Sequence, residues 1–528
     1  MEREGARHSL ESDVDERFVL TAAAQRRADE DAYRSGLTED ALVESAGRNA
    51  AQWILAHAGT RRIVIAAGPG GNGGDALVVA RHLLAAGSEV KTFLLSPPER
   101  LSAGTRRMLE RFVAAGGTTA SLEAAGVEGF SDALAWGTLA VDGIFGTGLV
   151  RPLEGVAAST IRALNSATIR TVSLDVPSGV LSDSGDLVGP VVSADVTLAM
   201  EFLKPVHLLF PAAGRCGSVA VLPVDYPDDV RQRVHPLARV LERSGIAHRL
   251  PPRPPDGHKG TFGRVLVVAG SIGMTGAAIF VCRGALRVGA GLVALAIPAS
   301  LDPILEVAVP EILTIPVPDT GGRLGPAAVG ALKDELARAD VLAIGPGLSR
   351  SGETVKAVVS LLREFRGPCV IDADALYALS KELELLSSIG SRGLLTPHPG
   401  ELAFLTGESA GSLTHDRIDA TRAFVESHGV TTILKGRPTV VGLRGGDVYL
   451  NPTGNTGLAT GGSGDVLTGI LAGLLAGGAS IADAALVGPY LHGMTAEFFA
   501  SDRSERSLLP SDVIELLPRA LHEVEQCG

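Results

Sequence analysis

The sequence is poor in cysteine, and its four cysteines do not form a recognisable motif. They are Cys216, Cys282, Cys369 and Cys527, and they make neither a Cys-x-x-Cys pair nor the spacing of a zinc site. This disfavours a disulfide framework and a cysteine-based metal centre, and it predicts reduced thiols with a structural role.

The sequence also lacks an apolar leader and an apolar run of membrane-spanning length. Its start, MEREGARHSLESDVDER, is charged throughout, so we expect no export signal and a cytoplasmic protein. The uncharged run between Asp465 and Asp483 has 17 residues, several of them glycine. A membrane span needs about 20 predominantly apolar residues. We therefore expect a buried core helix here and no association with a membrane.

Positive charge is not in excess either. The formal net charge of −12 disfavours a broad nucleic-acid surface, so we expect no nucleic-acid partner. An anionic ligand would need local help, such as the N-terminus of a helix. Hydrophobic residues make up 45% of the sequence, which indicates a globular protein. The length of 528 residues indicates two or three domains, at about 100–200 residues per domain.

Strand-like and helix-like runs alternate along both halves. RRIVIAAG at Arg61–Gly68 is typical of a buried strand, and DALVVARHLLAAG after it is typical of a helix closed by glycine. Such alternation predicts a parallel sheet covered by helices on both faces. The charged, proline-dense stretch Asp228–Gly257 indicates a boundary. We predict two α/β domains, over residues 15–228 and 258–525, joined by 229–257.

Three loops of the first half follow predicted strands. Gly68, Gly70 and Gly73 satisfy Gly-x-Gly-x-x-Gly, which lets a backbone approach phosphate. The next strand, VKTFLLS, has no acid at its end, which disfavours an ordinary NAD-dependent dehydrogenase. Asp142 and Asp175 each end a later strand. A lone aspartate is more often a loop cap, but three such loops at strand ends predict a site for a cation or polar ligand.

These loops resemble the epimerase domain of the NAD(P)H-hydrate repair family, from about Asp29 to Pro227. The resemblance implies a Rossmann-like three-layer sandwich that interconverts the epimers of hydrated NADH and NADPH. It implies that Asp142 is catalytic and that K⁺ is held by Asn72, Asp142 and Ser178. The implied substrate contacts are Gly71, Asn72, Gly73, Gly74, Asp75, Gly146, Thr147, Gly148, Leu149, Val150, Arg151, Pro152 and Asp175. Gly71 departs from the family, which has asparagine there.

The second half contains an ordered set of glycine-rich and polar motifs. They are HKGTFGRVLVVAGSIGMTGAA, IGPGLS, VIDADAL, LLTPHPGELAFLTG, ILKGRPTVV and NTGLATGGSGDVLTGILAGLLAGG. In the last motif, GGSGD directs free backbone N–H groups of a helix start toward a phosphate. Asp465 at the same helix start would accept a hydroxyl proton as that oxygen attacks phosphorus.

Together these motifs resemble the ribokinase-like superfamily and, within it, the nucleotide-dependent NAD(P)H-hydrate dehydratase. The resemblance implies that ADP binds with Mg²⁺ and is converted to AMP and phosphate, with Asp465 as the base. The implied nucleotide contacts are Lys435, Gly436, Arg437, Pro438, Thr439 and Gly464. The implied substrate contacts are Ala277, Gly347, His398 and Asp465. A homo-oligomer is implied as well.

An alternative interpretation stays open from the sequence. A ribokinase-like small-molecule kinase, fused to a nucleotide-binding domain without epimerase activity, would use the same aspartate. The two differ in their products, because a kinase accumulates a phosphorylated compound whereas the dehydratase releases phosphate and reduced cofactor.

Overall fold

The structure is a computed structural model that describes residues 15–58 and 62–527. Two compact units are present: one runs from Arg17 to Leu237, and the other takes in Glu16 and runs from Ala238 onward. Most of the charged N-terminal stretch, for which we expect no export signal, lies outside the described residues.

The first half contains eight described strands and seven α-helices. The strands are β1 (Glu16–Val19), β2 (Arg62–Ala67), β3 (Glu89–Leu94), β4 (Thr119–Ser121), β5 (Leu139–Gly143), β6 (Arg170–Leu174), β7 (Val196–Met200) and β8 (Ser218–Leu222). The helices are α1 (Ala22–Arg34), α2 (Glu39–Ala58), α3 (Gly71–Ala85), α4 (Ala103–Ala114), α5 (Leu122–Trp136), α6 (Gly155–Ser166) and α7 (Asp228–Arg233).

The sheet of the first unit is parallel and has the order β4-β3-β2-β5-β6-β7-β8. Its interior strand β2, which lies between β3 and β5, is apolar on both sides. Ile63 and Ile65 join one hydrophobic cluster, whereas Val64 and Ala66 join the cluster on the opposite face. Because both faces must be covered, helices lie on each side and produce the predicted three-layer sandwich.

The second half contains ten described strands and fourteen α-helices. The strands are β9 (Ala238–Leu241), β10 (Arg264–Val268), β11 (Leu292–Pro298), β12 (Leu313–Val317), β13 (Val341–Ile344), β14 (Cys369–Ile371), β15 (Gly393–Leu395), β16 (Thr431–Leu434), β17 (Thr439–Gly442) and β18 (Val448–Asn451). The helices are α8 (Arg243–Ala247), α9 (Thr275–Arg287), α10 (Asp302–Ala308), α11 (Ala327–Ala331), α12 (Lys333–Arg338), α13 (Gly352–Glu364), α14 (Asp374–Leu379), α15 (Leu385–Ile389), α16 (Pro399–Thr406), α17 (Ala410–His415), α18 (Arg417–His428), α19 (Ser463–Ala476), α20 (Ile481–Asp502) and α21 (Pro510–Glu525).

The sheet of the second unit has the order β9-β18-β17-β16-β15-β14-β13-β10-β11-β12. The strands from β16 to β12 are parallel, and β17 is antiparallel to both of its neighbours. The carboxyl ends of the parallel strands therefore meet at one edge, which is where open α/β sheets bind ligands. The predicted fold class, α/β with parallel sheets in both halves, is confirmed.

The glycine-rich apolar run after Asp465 is a core helix, as predicted. It forms α19, which packs against α9 in the hydrophobic core of the second unit. Gly469 permits this close approach, because a Cβ there would lie 2.1 Å from the carbonyl oxygen of Val281. Within the described residues, no helix is both long and apolar enough to cross a membrane.

Candidate functional site

The first predicted loop turns directly into α3. The helix begins at Gly71, so the glycines expected to form a loop supply its first turn. Gly73 has no room for a side chain, because a Cβ there would lie 1.9 Å from the carbonyl oxygen of Gly68. The turn places Asn72 in the interior, 8% exposed, and neither atom of its amide has a hydrogen-bond partner among the described residues. Leaving a buried amide unpaired is costly, which indicates a ligand-binding position.

Asp142 at the end of β5 is fully buried, and protein donors surround its carboxylate. Oδ2 accepts hydrogen bonds from the Ser178 backbone N–H and the Ser173 hydroxyl, each at 2.8 Å. Oδ1 accepts one from the Ser178 hydroxyl at 2.5 Å. Burial raises the pKa of Asp142, and the hydrogen bonds from Ser178 oppose that rise. Such a carboxylate is suited to hold a cation or to fix a loop.

The three residues predicted to hold a cation are neighbours. A Cβ on Gly146 would lie 3.5 Å from Cγ of Asn72, and the residue before it, Phe145, donates its backbone N–H to the Ser178 hydroxyl at 2.8 Å. With Asp142 bonded to Ser178, this arrangement supplies amide, carboxylate and hydroxyl oxygens. Hard monovalent and divalent cations prefer oxygen ligands, so the donor set fits K⁺.

Asp175, at the end of β6, forms an ion pair with a buried lysine that the predicted site did not include. Lys204 is 1% exposed, and its Nζ lies 2.5 Å from Oδ1 of Asp175. His207 donates from Nε2 to the Asp175 carbonyl at 2.8 Å and accepts the Lys204 backbone N–H at Nδ1. Burial lowers the pKa of His207 to about 4, so this histidine is neutral. Asp175 itself has φ of 61°, a rare conformation held by these contacts.

More carboxyl groups surround this ion pair. Burial, together with the charges of Asp175 and Asp29, raises the pKa of Asp75 well above its ordinary value. Asp29, on α1, accepts hydrogen bonds from the Tyr226 hydroxyl and from Gln25, and burial raises its pKa too. Perturbed acids gathered around one lysine are typical of a functional site. Neither Asp29 nor Tyr226 was predicted, because they lie 197 positions apart and no local motif joins them.

The loop that contains Gly146, Thr147, Gly148, Leu149, Val150, Arg151 and Pro152 follows β5 and lies on the surface. The apolar side chain of Val150 in this loop is 85% exposed to solvent. The loop is therefore available for contact with a ligand at the strand ends.

In the second unit, Asp465 occupies the first turn of α19. The residue before this helix is Gly462, with φ of 95°. Burial, followed by the negative charge of Asp372, raises the pKa of Asp465 to about 6, and Lys435 opposes the rise. A carboxylate that ionises near neutral pH at a helix start can act as a general base beside a bound phosphate.

Lys435 lies beside this helix start. Its Nζ is 2.8 Å from Oδ1 of Asp372 and 3.6 Å from Oε2 of Glu401. A Cβ on Gly464 would lie 3.4 Å from the same nitrogen, so two predicted nucleotide-binding residues are neighbours. Thr468 donates to Oδ2 of Asp372 at 2.8 Å and so fixes this carboxylate.

Of the remaining predicted substrate residues, Gly347 and His398 follow strands β13 and β15, and Ala277 lies in the first turn of α9. A Cβ on Gly347 would be 3.0 Å from Cβ of Ala277, so the loop after β13 lies against the first turn of α9. His398 caps α16 by accepting the Glu401 backbone N–H at Nδ1, and its side chain is 55% exposed. Its Nε2 therefore carries the proton, and it lies 3.5 Å from Oε1 of Glu401.

Two buried residues support the loops around the nucleotide and were not predicted. Arg417 donates to the carbonyl oxygens of Leu434 and Pro438 at 3.1 and 3.0 Å, on either side of Gly436 and Arg437. His492 lies 3.1 Å from the hydroxyl and the carbonyl of Ser463, in the GGSGD turn. Burial lowers the pKa of His492 to about 4, so it is neutral.

Within the described residues, no cluster of side chains is suited to hold a divalent ion by itself. Among residues 15–58 and 62–527, no three His, Cys, Asp or Glu side chains are grouped so that they could hold a metal. The four cysteines are free, and three of them are buried.

Comparison with known proteins identifies relatives for both units. Residues 39–206 match the family described as YjeF-related protein N-terminus, and residues 265–519 match NAD(P)H-hydrate dehydratase. The bifunctional NAD(P)H-hydrate repair enzyme Nnr of Moorella thermoacetica is 40% identical over 96% of this chain and 97% of its own length. The enzyme of the same name from Thermofilum pendens is 35% identical over 94% of each chain. The crystal structure of ADP/ATP-dependent NAD(P)H-hydrate dehydratase from Bacillus subtilis covers 54% of this chain and 98% of its own, with 30% identity and a TM-score of 0.46.

Proposed function

The chain belongs to the family of bifunctional NAD(P)H-hydrate repair enzymes, and from this premise we propose that it returns hydrated NADH and NADPH to the working cofactors. The N-terminal unit interconverts the two epimers of the hydrate. The C-terminal unit dehydrates the S epimer with ADP and releases AMP and phosphate. The observation that carries the proposal is the position of Asp465 at the start of α19, beside the ion pair of Lys435 and Asp372.

The hydroxyl group of the hydrated ring is a poor leaving group, so it must be phosphorylated before it can leave. Asp465 takes the proton from the ring hydroxyl as its oxygen bonds to the terminal phosphorus of ADP, and the bond from that phosphorus to AMP breaks. The free N–H groups of α19 and the ammonium of Lys435 stabilise the charge on the transferring group. The lone pair of the ring nitrogen then expels phosphate, and loss of a ring proton restores the reduced cofactor.

Magnesium fits this site as an ion that arrives with ADP. Since Mg²⁺ usually binds through one or two carboxylates and the substrate phosphates, Asp372 would be a sufficient protein ligand and would leave Asp465 free to act as the base. When bound, Mg²⁺ neutralises charge on the phosphates.

In the epimerase unit we assign K⁺ to Asn72, Asp142 and Ser178, whose oxygens have the hard character that this ion requires. The burial of Asp142 and its bonds to Ser178 favour this role over direct proton transfer. We assign the handling of the proton to Asp175 and Lys204, with Asp75, whose pKa is raised by burial, nearby. An epimerase must let the hydroxyl leave and return at one carbon, which requires groups that can give and take a proton. The loop from Gly146 to Pro152 would cover the bound dinucleotide.

Product analysis tests the function directly. The protein is incubated with the purified S hydrate and ADP, and we expect AMP, phosphate and reduced cofactor in equal amounts. Accumulation of a phosphorylated product without reduced cofactor would instead support the kinase alternative, which no relative described above favours. We further propose a cytoplasmic homo-oligomer, and sedimentation at several protein concentrations tests the assembly.

A further inference from the structure

Four side chains form a cationic and aromatic cluster at the edge of the dehydratase site. They are Arg350, Tyr377, Lys381 and Phe404, and we call them the Arg350 cluster. The rings of Tyr377 and Phe404 meet edge to face, with centroids 5.8 Å apart. The Arg350 guanidinium lies 5.1 Å from the Tyr377 centroid and 5.2 Å from that of Phe404, and Lys381 Nζ lies 4.7 Å from the Tyr377 centroid.

The cluster is built on the loops that form the site. Arg350 follows Gly347 by three residues in the loop after β13, and Phe404 lies on α16, the helix that His398 caps. Asp374 starts α14 after β14, and it accepts hydrogen bonds from the Ser349 N–H and from Nε of Arg350, each at 2.9 Å. Because strands β13, β14 and β15 are parallel neighbours, their loops emerge together, and the cluster lies next to the predicted substrate contacts.

The cluster retains binding capacity that the protein does not use. Within the described part of the chain, the Arg350 ion pair occupies Nε and no hydrogen bond engages its two terminal amino groups. Lys381 likewise forms no ion pair with a described residue, and its neighbour Glu382 pairs with Arg363 at 2.9 Å. Phe404 is 42% exposed, so part of its ring is available for stacking. A ligand that combines a flat aromatic base with a phosphate group complements these features, since the base can stack on Phe404 and the phosphate can bind the two cations.

We propose that the Arg350 cluster binds the adenosine half of the hydrated dinucleotide, with Phe404 stacked on adenine and with Lys381 and Arg350 in contact with the 2′-phosphate. The inference rests on the proposed function and adds a preference to it. Only the NADPH hydrate carries a 2′-phosphate, and arginine is a common partner of that group. The dehydratase should therefore favour the NADPH hydrate over the NADH hydrate.

Substitution of Lys381 should change the KM for the NADPH hydrate but not the KM for the NADH hydrate. For Lys381→Gln we expect KM for the NADPH hydrate to rise about tenfold, because one charge-assisted contact is lost, with kcat unchanged and the NADH hydrate unaffected. Phe404→Ala should raise KM for both hydrates, because adenine is common to them. Lys356→Gln, at another exposed lysine of the same unit, is the matched control and should change neither value.

Equal effects of Lys381→Gln on the two hydrates, or no effect on either, would overturn the proposal. Turnover of both hydrates by the unaltered protein is measured first, and its absence would refute the proposed function instead. Equilibrium binding of NADPH and NADH is then the readout. The epimerase unit contributes equally to the parent and the variant, so a loss of NADPH affinity in Lys381→Gln supports the cluster and unchanged affinity refutes it.

Discussion

Asp465→Asn should stabilise the protein while it abolishes dehydration. Burial and the charge of Asp372 raise the pKa of Asp465 from 3.8 to about 6, so the folded state disfavours the ionised form. A shift of about 2 units corresponds to about 3 kcal/mol, at 1.36 kcal/mol per unit. Among the described residues no hydrogen bond engages the Asp465 carboxylate, so asparagine, with the same shape, removes the charge without breaking one.

The sign of this effect depends on pH. Below pH 4, Asp465 is protonated in both the folded and the unfolded state, and the two proteins should be equally stable. As pH rises through about 6, the parent must ionise a buried acid and loses stability that the variant keeps. The free energy of unfolding of the variant should therefore exceed that of the parent by about 3 kcal/mol above pH 7.

Urea denaturation at several pH values measures this difference, and the two units can be followed separately. Both tryptophans, Trp53 and Trp136, belong to the first unit, so their fluorescence reports its unfolding and should not change in the variant. Hydrogen exchange of α19 amides reports the second unit. A variant less stable than the parent at pH 8, or a difference that does not vary with pH, would refute the reasoning and indicate that Asp465 caps the helix.

Further predictions concern both activities. The kcat of dehydration should fall as pH drops below about 6, because the base Asp465 becomes protonated, and a profile flat down to pH 4 would contradict this role. Asp142→Asn should lower epimerisation about a hundredfold by disturbing the cation site, with dehydration of the S epimer unchanged, as epimer-resolved chromatography can measure. Equal loss of both activities would instead indicate unfolding. Gly71→Asn should lower KM of the epimerase about fivefold, since a Cβ at this exposed position meets nothing within 4 Å and the added amide can bond to the substrate. An unchanged KM would show that this side chain does not reach the substrate.

Local sequence was sufficient for the features that one segment determines. The β-branched run of β2 and its glycine turn predicted a buried strand, and glycine with an acid before an apolar run predicted Asp465 at a helix start. One boundary was misplaced: Gly71 to Gly74 were interpreted as a loop, but they form the first turn of α3. The intrinsic helix propensity of glycine is low, so the fold imposes this turn against local preference.

Features that depend on distant partners could not be predicted. Lys435 and Asp372 lie 63 positions apart and meet only because their loops share one edge of the sheet. His492 contacts the GGSGD turn from α20, in a stretch whose apolar pattern indicates only a core helix. Such contacts follow from the order of the strands in the sheet, and the hydrophobic periodicity of a single segment does not predict that order.

The central claim is that one chain repairs both epimers of the hydrate. The most direct measurement incubates the protein with an equal mixture of R and S hydrates and excess ADP, and follows the near-UV absorbance of the reduced cofactor. We predict recovery of the whole mixture, beyond the half that the S epimer supplies, within the time in which spontaneous epimerisation is negligible. Recovery that stops at half would contradict the epimerase assignment, and no ADP-dependent recovery would contradict the dehydratase assignment.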